Sequence, residues 1–251
     1  MYIKKIVTHS GMHHADELLA ITMVRKFVKH ADKADIERVS EVPEKYLKNK
    51  EVIVIDVGRS YNAELHNFDH HHDPSLPASC ILVGREICPE TIYPYLERYL
   101  LGYVSDVDTG KIWSDFPSIN NILRNYETFD DALLVASIIF GGYLVNAYKA
   151  IESERKWEKL EKLNGIAINR EKGVILNWKS IAKKEGVFLM ITPSDRNEGW
   201  NVIVRDSDII KLLPDENQMF LHNEGFMAVY KDFETALEKA VDTMYLFNLS
   251  S

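Results

Sequence analysis

Apolar positions in the first half of the chain come in two rhythms. Ile3 to Thr8 is a short apolar run that reads as a strand and ends in His9-Ser10-Gly11. From Asp16 the spacing lengthens to that of a helix, with Leu18, Leu19, Ile21, Val24 and Phe27 facing a core. Ile36 to Val39 reads as a second strand. Glu51 to Asp56 is a clearer one, because its unbroken apolar run suits a parallel strand buried on both faces. After Pro77 the pattern turns helical over Ala78 to Cys88 and Pro89 to Tyr103, is interrupted at Asp106-Val107-Asp108-Thr109-Gly110, and resumes from Asp130 to Ala147. A charged run from Lys149 to about Leu163 predicts a helix with a solvated face of i,i+4 pairs. From Ile166 the pattern shortens and alternates. Ile166 to Ile168, Val174 to Leu176, Val187 to Ile191 and Trp200 to Val204 read as strands, and a helix from Phe233 to Tyr245 follows.

This order predicts an α/β domain with a parallel sheet over residues 1–148, a linker helix over 149–165, and a smaller C-terminal α+β domain over 166–251. The 251 residues suffice for two modest cores. A formal net charge of -8 argues against gripping long duplex nucleic acid by bulk electrostatics. It leaves room for a short phosphate substrate, since bound divalent cations invert the local charge. Cys80 and Cys88 form no Cys-x-x-Cys and read as thiols in a reducing compartment. Met1 to Val7 has neither signal- nor transit-peptide character. The most apolar stretch, Ala132 to Val145, is shorter than the roughly 20 residues of a membrane span and reads as a buried helix. The expectation is a cytoplasmic protein without a membrane partner; a homodimer is left open.

Candidate chemistry lies in two histidine clusters. His9, His13 and His14 precede Asp16 and Glu17, while His66, His70, His71 and His72 accompany Asp69 and Asp73. Asp56 lies between them at a predicted strand end. Sites in open parallel sheets form outside the carboxyl ends of the strands, so His9 and Asp56 can converge although distant in sequence. Such a collection of acids and imidazoles calls for a cation, and imidazole with carboxylate suits manganese, iron or zinc rather than magnesium alone. His13 and His72 read as surplus members decorating a solvated loop. Asp16 has an alternative as a helix cap.

Asp69-His70-His71 resembles the signature of the DHH phosphoesterases, a superfamily that includes RecJ-type nucleases, nanoRNA phosphatases, exopolyphosphatases and manganese-dependent family II pyrophosphatases. Thr8-His9-Ser10-Gly11-Met12-His13-His14-Ala15-Asp16-Glu17 resembles the opening motif of one branch, the melanocyte-proliferating-gene family of metal-dependent RNA exonucleases. His66 to His71 is similar to that branch's third motif, and Phe220 to Phe226 to its C-terminal one.

The resemblance implies two divalent ions, with Mn2+ first and Mg2+, Fe2+ or Zn2+ open. One ion would take His9, His14 and Asp56. The other would take Asp16, Asp56, His70 and Asp108, so that Asp56 bridges; Asp106 is the alternate to Asp108. Asp69 would orient an imidazole and His71 would face the substrate phosphate, the two forming the expected catalytic pair. Arg205, His222 and Gly225 of the C-terminal domain would bind the rest of the substrate. The implied reaction is hydrolysis of short RNA or oligonucleotides by a two-metal-activated hydroxide. Phosphoanhydride hydrolysis of pyrophosphate or polyphosphate, or a non-catalytic nucleotide- or metal-binding role, are the alternatives. Trp178, Trp200, Phe220 and Phe226 are candidates for stacking on a base, with core packing as the commoner use.

Overall fold

A computed structural model describes residues 1–114, 117–196 and 198–250. The chain divides into two compact units, Met1–Tyr148 and Lys149–Ser251.

The first unit is built on the strands β1 (Lys5–His9), β2 (Asp35–Val39), β3 (Val52–Ile55), β4 (Tyr61–Asn62) and β5 (Asn67–Phe68), in the order β2-β1-β3-β5-β4. β1 runs parallel to both β2 and β3, β3 runs parallel to β5, and only β4 is antiparallel. All four residues of β3 are buried, as its unbroken apolar run requires of a strand covered on both faces. Helix α1 (Ala15–Phe27) is buried continuously from Ala15 to Val24. α2 (Glu44–Leu47) is a single turn. α3 is Ser79–Ile87; α4 (Tyr93–Leu96) continues through a π-helical segment, Glu97–Leu101, into α5 (Gly102–Asp108). α6 is Ile119–Arg124.

Two expectations fail here. The Asp106-Val107-Asp108 segment does not interrupt the helix: α5 runs through to Asp108, and Thr109 and Gly110 close it with hydrogen bonds back to Ser105 and Val107. Helix α7 (Phe129–Glu158) is not simply buried. Ala132, Ala136, Phe140, Leu144 and Ala147 face the core, whereas Leu134, Ile138 and Val145 are exposed. By length and composition alone this helix is apolar enough to cross a membrane, though only 28% of its most apolar window is buried within the structure.

The second unit carries β6 (Glu161–Leu163), β7 (Ile166–Ile168), β8 (Leu189–Pro193), β9 (Trp200–Val204), β10 (Gln218–Leu221) and β11 (Met227–Tyr230) in one sheet of order β10-β11-β9-β8-β7-β6. Its helices are the last part of α7 (149–158), α8 (Trp178–Lys184) and α9 (Phe233–Ser250). Strand alternation sorts its core onto two faces. Ile166, Ile168, Leu189, Ile191, Val202 and Val204 pack with Ala236, Ala240 and Met244 of α9. Ala167, Val187 and Met190 pack with Trp157, Trp178 and Ala182 on the other face.

The charged helix expected to reach about Leu163 stops at Glu158, and β6 follows at Glu161–Leu163. The cause is the Asn164-Gly165 turn, whose φ angles of 47° and 83° are those of a type I′ hairpin. It pairs Leu163 with Ile166 and Glu161 with Ile168. Val174 to Leu176, expected as a strand, lies outside the sheet: Ile175 is buried, and the Leu176 N–H donates to the Ser153 hydroxyl at 3.0 Å.

Candidate metal centre

Three neighbouring parallel strands deliver the first residues of the site. β1 ends at His9, β3 is followed by Asp56, and β5 is followed by Asp69-His70-His71. Strands lie about 4.8 Å apart, so the carboxyl ends of β1, β3 and β5 span only about 10 Å. Asp56 itself turns off the sheet with φ 59°, a left-handed conformation that costs a non-glycine residue on the order of 1 kcal/mol or more. Arg38 braces the loop after β1 by donating to the carbonyls of His9 at 3.2 Å and Gly11 at 2.8 Å.

His9 donates from Nδ1 to the Ser10 carbonyl at 3.0 Å, so Nε2 is the nitrogen left to bind a metal once it sheds its proton. That atom lies 3.1 Å from Glu17 Oε1 and 3.5 Å from Asp56 Oδ2, yet it is buried without a well-aligned hydrogen bond. Glu17 is held by the His14 backbone N–H at 2.7 Å, a capping contact at the start of α1. The His14 ring sits 5.4 Å from that of His9. His70 Nε2, also buried and unaligned with any partner, lies 3.3 Å from Asp56 Oδ1 and 3.2 Å from Asp108 Oδ2. Asp16 is fully buried, and its two oxygens accept the Ser79 and Cys80 N–H groups at 3.0 and 2.7 Å. Those amides open α3, whose dipole favours a carboxylate there. The Ser79 hydroxyl donates to Asp56 Oδ1 at 3.2 Å.

Asp69 occupies a different role. Its carboxylate accepts the Arg59 N–H at 2.6 Å, the His71 N–H at 2.9 Å and His71 Nδ1 at 2.7 Å. Burial works against the charge, but these bonds outweigh it and pull the Asp69 pKa down to about 2. His71 is thereby fixed, with its remaining nitrogen free of Asp69, and lines a cleft of about 420 Å³ shared with Val42, Gly58 and Arg59. A second cleft of about 400 Å³ opens beside His14 and Asp108.

The electrostatics are those of crowded carboxylates that share two imidazoles. Burial, then Asp56 and Asp108, push the Asp16 carboxyl well above its ordinary range. The Glu17 contact raises the His9 pKa to about 9. For His70, burial opposes protonation, but Asp108 and Asp56 prevail and raise it to about 10. Among the described residues no lysine or arginine pairs with Asp16, Glu17, Asp56 or Asp108.

The donor set fits divalent ions. His9, His14, Glu17 and Asp56 offer ligand atoms within 4.8 Å of one another, as do Asp56, His70 and His71, and Asp16, His70 and Asp108. Opposite ligands of one ion are separated by twice the bond length, about 4.0–4.6 Å for bonds of 2.0–2.3 Å. The groups overlap at Asp56 and His70. Glu17 is the residue that reading the motifs left without a role. Its signal was its position three residues after His14, which is that of a capping box.

Asp106 lies outside the cluster, 3.6 Å from Lys111 at the surface. His13 does not decorate a solvated loop. It is buried, with Nε2 3.1 Å from the Leu123 carbonyl and its ring against Phe129. Truncating His13 to Ala strands that carbonyl and is expected to cost about 1–3 kcal/mol in chemical denaturation, with the metal stoichiometry unchanged. His14→Ala is expected to do the reverse.

The candidate substrate residues belong to the second unit. Arg205 donates to the Val187 carbonyl at 2.7 Å and stacks over the Phe188 ring. His222 accepts the Glu224 N–H at 3.2 Å and packs on Phe226. Gly225 closes this turn at φ 68°, with the Leu212 carbonyl 3.0 Å from where a Cβ would stand. Of the aromatic candidates, Trp178 is core, Trp200 packs on Phe233, and Phe220 is exposed.

Fold and site together define a mixed α/β protein whose parallel-rich sheet presents histidine and carboxylate groups able to hold metal at its carboxyl edge. Residues 5–75 match the sequence model of the MYG1 exonuclease family, described as an uncharacterised protein family (UPF0160). A MYG1 exonuclease of Mus musculus is 42% identical over 67 residues, which is 27% of this chain and 17% of that protein. The Homo sapiens MYG1 exonuclease is 40% identical over the same share of each. A MYG1 protein of Chlamydia pneumoniae is 29% identical over 134 residues, 49% of this chain and 44% of its own length. The chain therefore spans less than half the length of these relatives. The matched family segment holds His9, His14, Asp16, Glu17, Asp56 and Asp69 to His71; Asp108 lies beyond it.

Proposed function

We propose that this chain is a metal-dependent phosphoesterase that cleaves phosphodiester bonds of short, single-stranded oligonucleotides. The observation that carries the reading is the meeting of donor groups at Asp56, on strands that lie within the segment similar to the MYG1 exonuclease family. His9, His14, Glu17 and Asp56 would hold one ion; Asp16, Asp56, His70 and Asp108 would hold the second. Two divalent ions so held, manganese foremost, would lower the pKa of a water and neutralise charge on the phosphate. The protein's own work is positioning. β1, β3 and β5 fix the donors, Ser79 orients Asp56, and Asp69 aims His71 at the leaving oxygen.

The test is product analysis in manganese with RNA of two to five nucleotides, pyrophosphate and polyphosphate in parallel. Mononucleotide release from the RNA alone is expected. Turnover of polyphosphate alone would replace this reading with phosphoanhydride hydrolysis, and turnover of none with metal bound would remove catalysis altogether.

A further inference from the structure

The cleft beside His14 and Asp108 contains features that the metal cluster does not use. Trp113 forms part of its wall and is 90% exposed, the most exposed large apolar side chain described. An indole left in water at that level forgoes several kcal/mol of burial, and a lone aromatic so placed suits a ligand better than a core. Asn120 lines the same cleft, and its Oδ1 is buried without a hydrogen-bond partner. Buried amide oxygens are nearly always paired; this one is closed to solvent as it stands, so a ligand's donor would meet it through a turn of the Asn120 side chain into the cleft. Arg124 completes the wall, and among the described residues its hydrogen bond is from Nε to Met12 Sδ at 2.7 Å. The cleft is thus a flat aromatic face, a hydrogen-bond acceptor and a guanidinium, beside two of the candidate metal ligands.

We propose that this cleft receives the terminal unpaired nucleoside of the substrate, with its base on Trp113, its exocyclic amino group on Asn120 Oδ1 and its phosphate between Arg124 and the His14–Asp108 side of the metal cluster. The inference rests on the phosphodiesterase reading and sharpens it to a substrate class: single-stranded ends carrying an amino-bearing base. Pyrophosphate and polyphosphate have no group for either Trp113 or Asn120. A duplex end cannot use the site either, because its bases are already stacked and its amino groups paired. Stacking on an aromatic side chain is sequence-tolerant, so the amide would supply the discrimination between amino and keto bases.

The experiment is equilibrium binding by isothermal titration calorimetry in EDTA, with AMP, inosine monophosphate and ribose 5-phosphate as probes and the tryptophan fluorescence of the wild type followed alongside. AMP is expected to quench fluorescence and to bind roughly 5- to 100-fold more tightly than ribose 5-phosphate, the range that stacking supplies. Trp113→Ala should erase that advantage, Trp113→Phe should keep most of it, and Asn120→Ala should equalise AMP and inosine monophosphate. In manganese, Trp113→Ala should raise KM for short RNA by the same factor. Equal affinity of the wild type for AMP and ribose 5-phosphate overturns the proposal, and with RNA hydrolysis intact it leaves the phosphodiesterase reading standing. The base-dependent affinity without turnover of RNA does the opposite. Loss of a concentration-dependent dimer on Trp113→Ala, with nucleotide binding unchanged, would make this wall a protein-docking surface instead.

Discussion

Asp56→Asn abolishes turnover, by at least ~10³-fold, and removes bound metal while leaving the fold intact. The substitution deletes the carboxylate that, among the described residues, the His9–His14–Glu17 group shares with the His70–His71 group. Metal-site disruption at a shared ligand affects both ions, so the loss should exceed that of His14→Ala or Asp108→Ala, each of which touches a single group. Asparagine is preferred to alanine as the test because position 56 has φ 59°, where an amide side chain is tolerated and a bare Cβ is strained. The metal-free variant should also be the more stable one. Asp56 is among the charges that drive the Asp16 carboxyl upward, and removing it relieves that repulsion. A gain of about 0.5–2 kcal/mol over the metal-free wild type is expected in urea titrations, the usual exchange between stability and function at such sites. Metal analysis by mass spectrometry and a denaturation curve in EDTA check both halves. Retained metal with retained turnover would remove Asp56 from the centre.

What was legible in the sequence follows from how much chain each feature occupies. The runs of β1 and β3 are long enough to show as apolar strands, and a buried parallel strand ending in an acid is a feature that pattern reading can find. β5 is not, because it consists only of Asn67 and Phe68. Its place beside β3 puts Asp69-His70-His71 at a strand end rather than in a loop, and no periodicity can be read from two residues. The hairpin at Asn164-Gly165 was legible in principle. Its turn signal was outweighed by the charge pattern running through Lys159 and Lys162, which satisfies an exposed strand as readily as an exposed helix face. The fate of His13 and His14 depends on packing: adjacent residues point apart at the entry to α1, one to Leu123 and one toward His9. Trp113 carried no pattern at all, since exposure of a single aromatic in a loop is a tertiary fact.

Metal affinity rises steeply with pH, and the stability of the metal-free chain falls over the same range. His9, raised to about 9 by Glu17, and His70, raised to about 10 against its burial by Asp108 and Asp56, are protonated in the metal-free chain at neutral pH. An imidazole must shed its proton to ligate, so binding at the two groups releases up to two protons. Between pH 6.5 and 9 the apparent affinity should therefore increase by up to about 100-fold per pH unit if both ions bind together, and tenfold if only one proton is released. A histidine whose folded pKa lies above its unfolded value, about 6.5, stabilises the fold fully below that value and loses the contribution as pH rises through the folded pKa. The metal-free chain should accordingly lose thermal stability from about pH 6.5 toward the folded pKa values of about 9 and about 10. Asp16, displaced upward by burial and by Asp56 and Asp108, acts with the same sign. The manganese-loaded chain should show the opposite slope, because tighter binding adds stability by mass action. Melting temperatures in EDTA and in excess manganese, measured from pH 6 to 10, must therefore diverge with pH. Parallel curves would mean that His9 and His70 do not exchange protons for metal, and calorimetric titrations in buffers of different ionisation enthalpy would then find no proton released.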